Sequence, residues 1–492
     1  MVDEEQPRSH RTTVPARLDR LPWSRFHWLV VVGLGVSWIL DGLEIQIASS
    51  VSPVLQKRAT LHLSTSQAAH IGTVYLVGEI VGALVFGRVT DRLGRKRLFT
   101  ATLGLYLVAS GITGLSPTLW FLLLFRFLAG MGIGGEYAAI NSAIDELIPS
   151  AYRGRVDIAI NGTYWGGAMI GSVASIFFFN RADFPVDLGW RLAFLIGPAI
   201  GLAIIYLRRY IPESPRWLMT HGRADEAERT VDEVEARLAA EGIELAPVDP
   251  SKAIEVTGEG RVSYLAVART LLAEYPGRSF LGASMMITQS FLYNAIFFSY
   301  ALVLTHFYKV PSSETGYYFF PFAAGNLLGP LLLGPLFDSV GRRRMITATY
   351  CLSGALLAVS GWLFDAGDLT ALTQTIFWCV IFFFASAGAS SAYLTVSEIF
   401  PLELRGQAIA VFFAVAQGAG AGATALFGAL IGNGHHHGPL TAGYLLGAGV
   451  MILGGIVAWF FGVNAERTAL EDVARPLSLV RPGASAVSAQ SR

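Results

Sequence analysis

An all-α membrane protein, with twelve transmembrane helices in two pseudo-symmetric six-helix bundles, is the fold class predicted for this chain of 492 residues. Three observations predict it: the composition, a succession of apolar runs of bilayer length, and two charged motifs that recur in both halves. Hydrophobic residues make up 53% of the chain and charged residues 15%, against about 25% charged in soluble domains. Mean hydropathy is +0.50. The formal net charge of zero lacks the basic signature of a nucleic-acid binder. Cys351 and Cys379 both lie in apolar runs and read as small hydrophobes, not as a disulfide.

Taken in order, the first 25 residues form a polar, Arg-rich tail without the apolar core of a signal peptide. Crossing a hydrocarbon layer of about 30 Å takes roughly 20 apolar residues in a helix. Runs of that length place spans at 27–49, 68–88, 98–116, 119–142, 157–180 and 190–208, and again at 279–305, 316–337, 346–364, 374–399, 408–431 and 440–462. Barrel strands would alternate in polarity over about 10 residues, so helices are the reading that satisfies the backbone in lipid. The expected division is a tail 1–25, a bundle 26–212, a linker 213–276, a bundle 277–463 and a tail 464–492. In the linker, Val231, Val234 and Leu238 recur at helical spacing within Ala224–Ala240, an amphipathic surface helix. A second amphipathic run near Tyr264–Leu272 leads into span 7, and the last 25 residues, rich in Ser, Ala and Pro, are expected to be disordered.

Lys and Arg set the orientation. The even-numbered loops and the tails hold Arg8, Arg11, Arg17, Arg20, Arg25, the basic residues of 88–97, Arg153, Arg155, Arg342, Arg343, Arg344 and Arg405. The opposite loops hold only Lys57, Arg58, Arg181, Arg191 and Lys309. Both termini are therefore expected in the cytoplasm. Abundant Gly and Ala with compact loops point to a bacterial plasma membrane.

The halves match twice. Gly87–Arg97 reads G-R-V-T-D-R-L-G-R-K-R, and Gly334–Arg344 reads G-P-L-F-D-S-V-G-R-R-R. After span 4, Glu146-Leu-Ile-Pro149 leads to Arg153-Gly154; after span 10, Glu398-Ile-Phe-Pro401 leads to Arg405-Gly406. Parallel repeats of this kind place a binding site between the halves near the midplane. Ionisable residues inside spans cost about 2.5–3.5 kcal/mol each on insertion scales, which makes them functional candidates. Span 1 carries Asp41 and Glu44 one turn apart, span 2 carries Glu79, and span 4 carries Arg126 and Glu136.

On these motifs the chain resembles the major facilitator superfamily across residues 26–462. The D-R-L-G-R-K-R hairpin is its most specific signature. Pro212-Glu-Ser-Pro-Arg-Trp-Leu218, Arg126 and Glu398-Ile-Phe-Pro401 with Arg405-Gly406 look like the sugar porter branch. Asp-Gly-x-Glu at 41–44 and Gly-Gly-Glu-Tyr at 134–137 look like the neighbouring metabolite–proton symporters. The resemblance implies alternating access, usually by a monomer, with the proton as coupling ion and no cofactor. It implies an Asp41–Arg126 pair whose carboxyl takes up the proton, with Glu44 a second titrating candidate. It places substrate contacts at Asn161, Gln289, Asn294, Tyr393 and Gln417. Thr288, Phe298, Ser299 and Gly418 depart from the sugar porter pattern, which weighs against an ordinary hexose. It also implies a cytoplasmic gate in which Asp91, Arg92, Arg95, Asp338 and Arg342 pair with Glu146, Arg153, Glu398 and Arg405.

The expected partners are a small-molecule substrate and the lipid bilayer, with no nucleic acid. Amides and a phenol suit hydroxyl groups because each donates and accepts. Four buried carboxylates against one Arg favour a neutral sugar or polyol, with an organic acid, zwitterion or cation as the alternative. An uncoupled facilitator or exporter, or a transporter-like sensor, would use the same fold. Three motifs carry no chemistry in this reading. Gly130-x-Gly132-x-x-Gly135 lies inside an apolar helix, where close packing explains it better than a dinucleotide. His435-His436-His437 sits in a short outer loop and Asn161-Gly-Thr163 at membrane depth, so neither a metal site nor glycosylation is expected. No nucleotide loop or nucleophile motif marks an enzyme.

Overall fold

The computed structural model describes residues 9–474 except 56, 64, 180–183, 209–211, 258–266, 268, 311–314, 402–403, 432–435, 467 and 469. Twelve helices of 19 to 31 residues appear where the apolar runs lie. Spans 1 to 6 are Arg25–Leu55, Thr65–Leu93, Arg95–Thr113, Leu119–Leu147, Arg153–Phe178 and Val186–Arg208. Spans 7 to 12 are Pro276–His306, Thr315–Ser339, Arg342–Ala366, Ala371–Glu398, Arg405–Ile431 and His437–Phe461. Among the described residues, seven are long and apolar enough by length and composition alone to cross a membrane. Span 2 contributes a shorter apolar stretch, Ile71–Gly87. Large apolar side chains such as Trp28, Val108, Trp120, Leu202, Trp362 and Phe460 face outward, as a lipid-facing surface requires.

The packing is two-fold in pattern. Spans 1 and 5, 2 and 4, and 3 and 6 pack together in the first bundle; spans 7 and 11, 8 and 10, and 9 and 12 do so in the second. The bundles meet through spans 2 with 11 and 5 with 8, which are symmetry mates. Small residues allow these crossings. A Cβ on Gly134 of span 4 would lie 2.0 Å from the Glu79 carbonyl of span 2, and one on Gly329 of span 8 would lie 2.0 Å from the Phe383 carbonyl of span 10. The glycine run at 130–135 is thus a packing surface. The hairpins also match: Gly94 and Gly341 take φ of 91° and 108°, a region favouring glycine, and each precedes a helix. A glutamate from beyond the sixth helix of each half approaches each of them, Glu213 at Gly94 and Glu466 at Gly341.

At the end carrying Ser9 and Ala474, the linker helix Ala224–Ala240 forms with the predicted bounds and buries Ala227, Val231, Val234 and Leu238. Its other face binds the tail. Arg17 pairs with Glu228, Asp232 and Glu235 at 2.8, 2.5 and 2.7 Å. The tail is more ordered than its polar composition suggests. Strand β1 (Ser9–Thr12) pairs antiparallel with β2 (Ile254–Thr257), and Val14–Asp19 is helical. This small sheet lies outside the spans, where the requirement to satisfy every backbone group internally does not apply. Of the run at Tyr264–Leu272, residues 264–266 and 268 lie outside the described residues, and Thr270–Glu274 forms a helical turn before span 7. Leu470–Val473 is helical where disorder was expected; residues 475–492 lie outside the described ones.

Candidate functional site

In span 1 the three-residue step from Asp41 to Glu44 turns both carboxylates toward spans 2, 3 and 4, where both are buried. Arg126 forms its ion pair with Glu44, not with Asp41 as expected from the family pattern. Tyr75 of span 2 explains the difference. Its ring lies 4.2 Å beneath the Arg126 guanidinium, while its hydroxyl donates to Asp41 at 3.1 Å. It therefore stands between the two groups. Asp41 accepts a second hydrogen bond from Tyr137 at 2.7 Å, and Glu44 accepts one from Ser110 at 2.6 Å. Asp41 and Glu136 also border a small cavity with Ser37, Trp38 and Tyr137.

Between the bundles lies a partly open cavity lined by residues of spans 1, 2, 4, 5, 7, 10 and 11. The five residues expected to contact substrate, Asn161, Gln289, Asn294, Tyr393 and Gln417, all line it. They come from spans 5, 7, 10 and 11, so only the tertiary fold unites them. Two features of this cavity were missed in the sequence. Its walls are strongly aromatic, with Trp38, Tyr137, Tyr164, Trp165, Tyr293 and Phe297 beside Tyr393. Rings meet across the bundles: Tyr137 stacks on Phe413 at 4.1 Å, and Trp165 lies 5.7 Å from Tyr293. Glu79 also lines the cavity, and the Gln417 side-chain amide donates to it across the bundle interface. The available signal was proximity to motifs, since Trp38 lies one turn before Asp41 and Tyr137 ends the Gly-Gly-Glu-Tyr run.

At the terminal face, Arg342 makes paired 2.7 Å hydrogen bonds to Glu398 and a 2.7 Å bond to Asp338. Two contacts cross the bundles: Arg153 lies 3.7 Å from Glu398, and the Arg155 backbone N–H donates to Asp338 at 2.8 Å. Glu146 and Arg405 are buried on the same face. The side chains of Asp91, Arg92 and Arg95 lie outside the described ones, so their part in the expected gate has no geometry here. Sequence reasoning missed Asp19 and Arg216. Asp19 lies 3.6 Å from Arg153 and 3.0 Å from Arg216, which also donates to the Glu146 carbonyl at 3.0 Å. Arg216 was visible inside the Pro212–Leu218 motif, but Asp19 lies in a tail with no periodic signal.

His435 lies outside the described residues, while His437 packs its ring 4.6 Å from that of Phe364. Thr163 of the sequon donates to the Gly35 carbonyl at 2.9 Å, within the bundle.

A family model described as "Sugar (and other) transporter" matches residues 35–476. The niacin transporter NiaP of Acinetobacter baylyi is 27% identical over 399 residues, covering 79% of this chain and 84% of that protein. The putative metabolite transport protein YyaJ of Bacillus subtilis is 27% identical over 393 residues, covering 79% and 82%. Among solved structures, the proton:xylose symporter XylE of E. coli superposes with a TM-score of 0.75 at 18% identity, covering 91% of this chain and 98% of that one. That last likeness is one of fold.

Proposed function

This chain belongs to the sugar (and other) transporter family of the major facilitator superfamily, and we propose that it is a proton-coupled symporter moving a small polar solute by alternating access. It is a multi-pass membrane transporter and not an enzyme. The observation that carries the coupling proposal is the position of Asp41. Its carboxylate is held by Tyr137, and Tyr137 also forms cavity wall. The Arg126–Glu44 pair is neutral as it stands, whereas Asp41 becomes neutral only on taking a proton. A proton on Asp41 would therefore change the hydrogen bonding of a residue that faces the solute. In this reading Asp41 is the coupling acid, Arg126 and Glu44 form the fixed pair beside it, and the proton is the coupling ion with no cofactor.

The amides of Asn161, Gln289, Asn294 and Gln417 and the Tyr393 phenol suit a solute bearing hydroxyl or amide groups, as a sugar or polyol does. The aromatic walls favour a second reading, a small ring-shaped metabolite, and the name of the niacin transporter relative supports it. The positive charge of the terminal face supports a cytoplasmic side for it, and bacterial relatives support a bacterial plasma membrane. Arg153, Asp338, Arg342 and Glu398 then act as the inner gate of a monomeric carrier, closing it while the cross-bundle contacts hold.

Transport by the purified protein in liposomes with an imposed proton gradient tests the coupling. Asp41→Asn should abolish accumulation above equilibrium and retain solute exchange. Undiminished accumulation would remove Asp41 from the mechanism, and uptake by the parent that ignores the gradient and stops at equilibrium would identify an uncoupled facilitator.

A further inference from the structure

The transport reading leaves the chemical class of the solute open, and charge in the main cavity bears on it. Among the described lining residues Glu79 is the only carboxylate, and there is no Lys, Arg or His. Glu79 is fully buried, and its Oε2 accepts from the Gln417 amide. Its Oε1 has no hydrogen-bond partner among the described residues. A buried carboxylate oxygen without a donor is costly, and when Glu79 is ionised the counterpart that satisfies Oε1 is a hydrogen-bond donor, most favourably a positive one. Arg126 does not serve, since its guanidinium is paired with Glu44 and stacked on Tyr75.

The rest of the wall has the same preference. Trp38, Tyr137, Tyr164, Trp165 and Tyr393 line the cavity with Glu79. Aromatic faces carry negative potential and attract cations, most strongly where water is excluded. Asp41 lies just behind Tyr137, adding negative charge on that side when ionised. An anion would meet a carboxylate and ring faces with no cation to receive it. A neutral solute would find hydrogen bonds but no use for the charge. We propose that the cavity selects a small organic cation, an ammonium or a positively charged nitrogen heterocycle, with its charge seated between Glu79 and the aromatic wall and its polar groups on Asn161, Gln289 and Asn294.

This inference rests on the transport reading and narrows its solute from polar to cationic. Because Gln417 belongs to span 11 and Glu79 to span 2, a cation drawn to Glu79 also competes for a hydrogen bond that joins the bundles. Solute binding and bundle separation would then share one carboxylate.

The test holds ring shape constant and varies charge. Binding of 1-methylnicotinamide (a cation), nicotinamide (neutral) and nicotinate (an anion) is measured on the purified full chain by calorimetry and thermal shift. Choline and its uncharged isostere 3,3-dimethylbutanol form a second pair. In at least one series the cation should bind about tenfold or more tighter than its neutral analogue, as a desolvated cation–π and carboxylate site predicts. Glu79→Gln keeps the size of the side chain and should bring the ratio of cation to neutral affinity to about one. Unfolding temperature with no ligand present confirms that the variant is folded. Tightest binding of nicotinate, a cation preference unchanged in Glu79→Gln, or no binding of any cation would each overturn the proposal. Uptake assays separate it from the transport reading: flux of a neutral or anionic solute sinks only the cation inference, whereas cation binding without flux sinks only transport.

Discussion

The first six spans and the last six share one packing plan, and both bury charge at the terminal face, but only the first also buries it within the spans among the described residues. In the first bundle, Asp41, Glu44, Glu79, Arg126 and Glu136 are buried within spans 1, 2 and 4. In the second, the buried charged residues among those described are Asp338, Arg342, Glu398 and Arg405, all at the terminal face. Its interior polar groups are amides and hydroxyls, including Gln289, Asn294, Asn326 and Gln374. Equivalent helices therefore do different work. The first bundle holds the groups that can change charge, and the second presents neutral groups that can shape a solute. Contacts that cross between them include Gln417 to Glu79 and Tyr137 to Phe413.

The sharpest way to break this contrast is at Glu44. Removing one member of a buried ion pair strands the other, at a cost of about 3–5 kcal/mol. Glu44→Gln should lower the unfolding temperature markedly, while Asp41→Asn, next to phenols, should leave it nearly unchanged. Equal effects on thermal unfolding would mean that Arg126 serves both acids. A smaller effect tests the symmetry itself. Gly134→Ala and Gly329→Ala each place a Cβ against a backbone carbonyl of the facing helix, an overpacking that costs about 1–3 kcal/mol. Similar losses of stability in detergent would support equivalent crossings. A loss in one alone would show that the pseudo-symmetry is geometric without being energetic.

The smallest effect belongs to the clasp between tail and linker. Burial acts to raise the Glu235 carboxyl, but hydrogen bonds and charge from Arg17 and Arg20 outweigh it and hold the carboxyl below its usual range. A depressed carboxyl stabilises the fold above its unfolded value of about 4.3, and the contribution fades as pH falls through the lowered value. Glu235→Gln should therefore reduce protection of the tail from proteolysis at neutral pH, with less difference in acid. The change is about 1 kcal/mol or less, because these pairs are partly exposed and screened. Protection equal to the parent at neutral pH would show that the other contacts, β1 and the Arg17 pairs with Glu228 and Asp232 among them, anchor the tail without Glu235.

Much of this was legible along the chain. Apolar runs of bilayer length fix helices because lipid offers the backbone no other partner, and the observed helices extend the predicted spans by about a turn at several ends. The linker helix was legible from Val231, Val234 and Leu238, since amphipathic spacing needs only local geometry. The repeated hairpins announced the two halves, and Gly94 and Gly341 carry the reason in their backbone angles. The five polar cavity residues were placed by their distance from motifs, and the fold gathers them into one site.

What the chain could not disclose was which group each charged side chain meets. Asp41 and Glu44 are one turn apart on one helix, so helical spacing offers either to Arg126. The choice fell to Tyr75, whose ring takes the guanidinium and whose hydroxyl takes Asp41. Glu79 read as one buried acid among four until the bundles met and set it against Gln417 and a wall of rings. Asp19 had no visible role until the tail brought it to Arg153 and Arg216. Sequence by itself determined the helices, their number and the two-fold plan, because these follow from local hydropathy and backbone chemistry. Tertiary structure decided the ion pairing and the character of the cavity, because both depend on side chains distant in sequence, 82 residues apart for Arg126 and Glu44 and 338 for Gln417 and Glu79, coming together in space.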